Sequence, residues 1–115
     1  MAELIWVVSS IRTDLAGASE QVRQTMGGAL RAAQNGEKSS DAKPMKGELR
    51  EVMEVREDDE AGTYRLMYTT KIGDIVYVLD FFQKKSTKGI ETPQADLDRI
   101  LKRLKAVKER HAQRR

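Results

Sequence analysis

The chain reads as an α+β domain: an antiparallel-rich sheet, elements in the order β-α(α)-β-β-β-α, helices packed on one face and a basic face left open. Three observations carry that expectation. Residues 50–57 alternate apolar and polar side chains, and the β-rich runs Tyr64–Tyr68 and Ile75–Phe82 are bounded by turn residues, the pattern of strands joined in a meander. Residues 11–33 and 97–107 instead repeat apolar side chains at steps of three and four, the period of amphipathic helices. The 115 residues fit a single domain, and 39% hydrophobic against 34% charged residues leaves a thin core under much solvated helix surface.

Each element has its own signal. Leu4-Ile5-Trp6-Val7-Val8 is too short for a helix and rich in β-branched and aromatic side chains, so it is a strand, with Trp6 packed in the core. From Ile11 the period changes: Ile11, Leu15, Ala18, Val22, Met26, Leu30 and Ala33 line one side of a helix, capped by Ser9 or Ser10 and stopped by Asn35-Gly36. Glycine costs about 1 kcal/mol relative to alanine in a helix interior, so a break into two helices is expected near Gly17 or Gly27-Gly28. Residues 37–48 are polar, punctuated by Pro44 and Gly47, and read as a loop. A strand over residues 50–57 places Leu49, Met53 and Val55 on one face and Val52, Glu54 and Arg56 on the other. Asp58-Asp59-Glu60-Ala61-Gly62 turns into a strand through Tyr64, and Lys71-Ile72-Gly73-Asp74 turns into the next. Thr92-Pro93 starts the last helix, with Leu97, Ile100, Leu101, Leu104 and Val107 as its apolar stripe.

The net charge of +3 conceals a split: residues 84–115 carry eleven Lys and Arg against four acids, and residues 1–83 carry ten against fourteen. A basic end on a mildly acidic body points to an anionic partner, nucleic acid before membrane, since no amphipathic stretch combines basic flanks with bulky aromatics. With no cysteine, disulfides, zinc thiolates and thiol nucleophiles are excluded. No apolar run approaches the roughly 20 residues that span a bilayer. The N-terminus also lacks a secretion-signal pattern, so a cytoplasmic protein with no membrane contact is expected.

Symmetric closure of both hairpins would set Arg56 opposite Arg65 and Arg65 opposite Asp80, on one face with Glu54, Met67, Val78, Phe82 and Lys84. Adjacent guanidiniums repel unless an anion bridges them. Asp80 neutralises only one, so the missing ligand is a phosphate, which arginine grips through its planar fork. Lys84, Lys85 and Lys88 at the strand end, with Lys43 and Lys46 from the loop, extend the set into a cationic groove. RNA cleavage needs little more: a base for the 2′-hydroxyl proton, cations for the charge on the phosphorane-like transition state, and an acid for the departing 5′-oxygen. The 2′-hydroxyl is an internal nucleophile, so neither metal nor cofactor is expected. The single histidine, His111, reads as a surface residue.

Lys43-Pro44-Met45-Lys46-Gly47, Thr63-Tyr64-Arg65, Val76-Tyr77-Val78-Leu79-Asp80-Phe81-Phe82-Gln83-Lys84-Lys85-Ser86 and Lys88-Gly89-Ile90-Glu91-Thr92-Pro93 together resemble the phage-derived Gp49/HigB-like branch of the RelE/ParE toxin superfamily. The resemblance implies a RelE-like fold whose concave sheet face binds RNA. It also implies a ribosome-dependent messenger-RNA endonuclease of a type II toxin–antitoxin system, held inactive by an antitoxin usually of helix-turn-helix type. By position, Lys43 and Lys46 match the basic loop, Arg65 the arginine on the scissile phosphate, and Lys84 and Lys85 the basic end of the last strand. Arg65, Lys46, Asp80 and Lys84 form the expected catalytic set; Lys43, Arg56, Phe82, Lys85 and Lys88 form the expected RNA-binding set. Relatives of this branch often carry histidine where this chain has Asp80. An ordinary aspartate, near pKa ~3.9, is a poor general acid at neutral pH. Asp80 is therefore expected to act as base or to orient Arg65, with Lys84 or Lys46 donating the proton.

Two rival readings share these residues: a ParE-like gyrase poison without hydrolysis, and a non-enzymatic module that docks nucleic acid or protein through its basic face. The last helix has its own reading: its Leu and Ile stripe closes the core, and the resemblance implies that Arg99, Lys102, Arg103, Lys105 and Lys108 contact ribosomal RNA outside the site or an acidic antitoxin segment.

Overall fold

The computed structural model describes residues 1–70, 72–84 and 93–113, and among them five strands and three α-helices make up the fold. The sheet runs in the order β1 (Glu3–Trp6), β5 (Ile75–Lys84), β4 (Gly62–Thr69), β3 (Val52–Asp59), β2 (Ala42–Pro44). β1 lies parallel to β5, and every other neighbour is antiparallel, so the sheet is mixed. The expected loop over residues 37–48 contains β2, which at three residues is too short to display a period. Pro44 is tolerated there because β2 is an edge strand.

The first helical stretch breaks at Gly17, giving α1 (Ser9–Ala16) and α2 (Glu20–Gln34). Ser19 explains the position of the break, since its hydroxyl accepts from the Val22 N–H at 3.3 Å and restarts the helix. Gly27 and Gly28 stay inside α2. Neither Ser9 nor Ser10 caps α1; the N-cap is Val8, which offers no side-chain acceptor. Asn35 ends α2 as expected, and Gly36 follows with φ of 77°, the left-handed conformation that glycine adopts without steric cost.

Helices cover both faces of the sheet, which corrects the expectation that all would pack on one. α1 and α2 lay Ile11, Leu15, Val22, Met26 and Leu30 over Val55, Leu66, Val76, Val78 and Phe81. On the other side α3 (Gln94–Ala112) lays Ile100, Leu104 and Val107 over Val52, Met67, Tyr77 and Leu79, joined by Leu49. The physical reason is β5. Its run Ile75-Val76-Tyr77-Val78-Leu79 is apolar at every position, so a bare second face would leave large side chains in water at roughly 1.5–3 kcal/mol each. Leu49 and Val78 are likewise on the faces opposite to those expected.

Register sets the site. The two-residue turn Glu60-Ala61 pairs Arg56 with Arg65, as symmetric closure requires. β4 and β5 are offset: Arg65 faces Phe82 and Met67 faces Asp80, rather than Arg65 facing Asp80. Because the offset is two residues, side chains keep their faces in this part of the ladder. A β-bulge follows, with Tyr68 facing Val78 and Leu79 left as the extra residue. The bulge turns Leu79 and Asp80 together toward α3 and sends Val78 to the α2 side. Among the described residues no helix is long and apolar enough to cross a membrane.

Candidate nucleic-acid interface

α3 packs on one half of its sheet face, and charged side chains occupy the other. They stand in three cross-strand rows: Lys43–Glu54–Met67–Asp80, then Arg56–Arg65–Phe82, then Asp58–Thr63–Lys84. The strand period places these residues together, since alternate positions of each strand share a face. Lys43, Arg56, Arg65, Asp80, Phe82 and Lys84 are thus gathered as expected. Lys46 lies outside the rows, exposed at the N-cap of the 3₁₀ turn Gly47–Leu49. Lys85 and Lys88, with the Thr92 of the expected cap, lie outside the described residues.

The rows contain two tiers. Lys43, Lys46 and Arg56 are exposed. Arg65 is only 2% exposed and Lys84 9%, so neither is offered to a ligand in this conformation. Arg65 forms an ion pair through Nη1 with Glu54, its diagonal neighbour across the β3–β4 ladder. Glu54 is therefore a carboxylate ion-paired with Arg65, while Asp80 pairs with Arg99 and Arg103. The groove is also less cationic than its lysines alone suggest. At the β2–β3 edge, Lys43 and Arg56 share an open cleft of about 620 Å³ with Asp41, Glu54, Glu57 and Asp58.

Asp80 serves a different pair of cations. It is 6% exposed, and its Oδ2 accepts from Arg99 Nε at 2.7 Å and lies 2.6 Å from Arg99 Nη2. Its Oδ1 accepts from the Phe81 N–H at 2.9 Å and lies 3.3 Å from Arg103 Nη1. Arg103 Nη1 also donates to the carbonyl of the bulge residue Leu79 at 2.8 Å. Asp96 accepts from Arg99 Nη2 at 2.7 Å, and the Arg99 guanidinium carbon sits 5.5 Å from the centre of the Phe82 ring. Burial lowers the Arg99 pKa, but the hydrogen bonds and charges of Asp80 and Asp96 outweigh it, and the net shift is upward. Arg99 is a fixed cation. These interactions clamp the start of α3 to the bulge, and both carboxylate oxygens of Asp80 are engaged in doing so.

Sequence reasoning missed this clamp. Arg99 and Arg103 were expected to face outward toward ribosomal RNA or antitoxin, and they turn inward to Asp80. The available signal was the spacing of Asp96, Arg99 and Arg103, which puts all three on one side of a helix. His111 differs too: it is half-buried, with Nδ1 3.0 Å from the Tyr77 hydroxyl, and it closes the far end of α3 against β5. A cavity of about 470 Å³ near Ala33, Met53 and Tyr68 contains none of the expected site residues. Burial pushes the Tyr68 phenol up to about 12. Among the described residues no three His, Asp or Glu side chains converge to hold a metal ion.

Fold and site together define a small α+β domain that carries a half-buried set of charged rows on one half of a mixed sheet. The chain matches the family described as phage-derived protein Gp49-like (DUF891) over residues 13–105, and it belongs to that family. The matched span includes every residue of the three rows and of the Asp80 clamp. No curated protein matches the chain.

Proposed function

We propose that this protein is the toxin of a type II toxin–antitoxin pair, a RelE-like endoribonuclease that cleaves messenger RNA on the ribosome by attack of the 2′-hydroxyl on its own phosphodiester. The observation that carries the reading is the row Arg56–Arg65–Phe82, which sets two guanidiniums and an aromatic ring side by side next to Lys84. That combination suits a nucleotide, with planar forks for the phosphate and a ring for the base. Membership of the Gp49-like family supports it.

Roles follow from exposure. Lys43, Lys46 and Arg56 make the first phosphate contacts from solvent. Arg65 and Lys84 stabilise the transition-state charge, and being buried in the free protein they must be uncovered when RNA binds. Asp80 does not transfer a proton; with both oxygens held by Arg99, Arg103 and Phe81 it is a positioning residue. Lys46 and Lys84, as ammonium groups, are left as the candidates to protonate the departing 5′-oxygen, and the cleavage needs no metal. The cognate antitoxin, of helix-turn-helix type, blocks the same charged face.

The test is induced expression followed by mapping of RNA ends, alongside purified protein and translating ribosomes in the presence of a chelator. Growth arrest with fragmented messages ending in 2′,3′-cyclic phosphate is expected. Arg65→Ala, checked for folding by its thermal transition, is expected to abolish fragmentation; unimpaired cleavage by that variant removes the site assignment. DNA damage with intact messages would instead establish the gyrase-poison reading. Salt-dependent RNA binding without fragments would establish a binding module.

A further inference from the structure

The Asp80 clamp does more than the proposed chemistry requires of it. Two aspartates and two arginines meet at the start of α3, so the cluster's charges cancel and it has little to offer a phosphate. What remains is a surface. The Arg99 guanidinium is held by carboxylates on two sides, Asp80 from β5 and Asp96 from its own helix, and it lies over Phe82. Its side chain is still 37% exposed, so part of it remains in contact with solvent. An arginine plane fixed by carboxylates and backed by an aromatic ring is a surface on which nucleobases stack.

We infer that Arg99 and Phe82 form a stacking platform for one unpaired nucleobase of single-stranded RNA, with Asp80 and Asp96 as the positioning residues that hold the planar guanidinium in place. This deepens the RNA-cleavage reading and rests on its assignment of the charged face to RNA. The placement fits a nucleotide. Phe82 is the direct cross-strand partner of Arg65, so a base on the platform hangs its phosphate toward the Arg56–Arg65 row. The neutral cluster takes the base, and the charged rows take the backbone.

A non-cleavable probe separates this inference from the cleavage reading. Short 2′-O-methyl RNAs, each with an abasic site at a different position, are titrated against the full protein and against Arg99→Lys, which keeps the charge and loses the plane. For the wild type, one abasic position is expected to weaken binding by about five-fold or more, the lower end of base–aromatic stacking. Arg99→Lys is expected to weaken binding of the intact RNA by a similar factor and to show little further loss at that position. Phe82→Leu is expected to behave in the same way, and thermal melts of both variants confirm that they fold. Equal abasic penalties in wild type and folded variants overturn the platform, as does failure of the wild type to bind any probe. If wild-type protein cleaves messenger RNA on translating ribosomes while Arg99→Lys shows unchanged probe binding, only the platform falls. If the position-specific penalty appears without cleavage of messenger RNA on translating ribosomes, the platform stands and the endonuclease reading falls.

Discussion

The face under α1 and α2 and the face under α3 take alternate residues from the same strands, β3, β4 and β5. On the first, Val55, Leu66, Phe81 and Val78 are apolar, and helix side chains cover them. On the second, Val52, Met67, Leu79 and Tyr77 are apolar, but Glu54, Arg65, Asp80 and Lys84 share the same face. Taking charges out of water costs several kcal/mol per ion unless each is paired, and an apolar side chain of similar volume is often no worse for stability. The charged half of the second face is thus not what the fold needs in order to form. Its ions persist because they are paired, Arg65 with Glu54 and Asp80 with Arg99 and Arg103, and such a departure from an apolar face is the basis for proposing the site there.

The largest expected effect belongs to the first face. Leu66 is fully buried, beside Arg65 in the chain but pointing the opposite way, toward α2. Leu66→Ala should destabilise the protein by about 2–5 kcal/mol, the range for a buried leucine that leaves a cavity. Urea unfolding measures it, and the RNA binding proposed above should be unchanged for the remaining folded protein. A loss below about 1 kcal/mol would mean the α2 face is not the continuous core described above.

Asp80→Asn comes next. The amide keeps the shape of the carboxylate but removes the charge holding Arg99 and Arg103, and the expected cost is about 1–3 kcal/mol, the scale of hydrogen bonds to charged groups. Hydrogen exchange should speed up in the first turns of α3 and stay unchanged in α2. Wild-type protection in α3 of this variant would show that the clamp is not what fixes the helix.

These contrasts mark which parts of the molecule could be read from sequence. Periodicity located both helical stretches and the three-strand meander, because a stripe of seven apolar positions or a run of alternating ones is a local property. The Arg56–Arg65 pairing was legible from symmetric closure, although the turn is the two residues Glu60-Ala61 and not the five expected over residues 58–62. The bulge at Leu79 was not. In an all-apolar run such as Val76-Tyr77-Val78-Leu79 no polar residue marks which one is extra. That same run did contain evidence of burial on both faces, which is where α3 went. Asp80's partners lie 19 and 23 positions away on α3, and no local rule reaches that far. Strand period therefore put Arg56, Arg65 and Lys84 on one sheet face, while the arrangement that neutralises or buries them had to come from the fold.

The smallest effect tests the rim of the apolar face. Glu57 sits where β3 meets α2, and its carboxylate accepts from Thr25 Oγ1 at 2.7 Å and from Gln21 Nε2 at 3.0 Å. Those bonds, Thr25's first, favour the charged form and hold the Glu57 pKa below its ordinary value. A carboxyl whose pKa is lower folded than unfolded binds its proton more tightly in the unfolded chain. Its contribution is therefore fully present above the unfolded pKa and disappears as pH falls through the folded one. Thr25→Val removes the leading donor and moves the folded pKa back toward the unfolded value. The melting temperature of the variant should lie below that of wild type by a constant amount above about pH 5, where the carboxyl is ionised in both states. Below that the gap should narrow as acid protonates Glu57. A gap that is the same at pH 7 and pH 3 would mean that Thr25 acts there by packing alone, and that the apolar face runs to its edge without a polar seam.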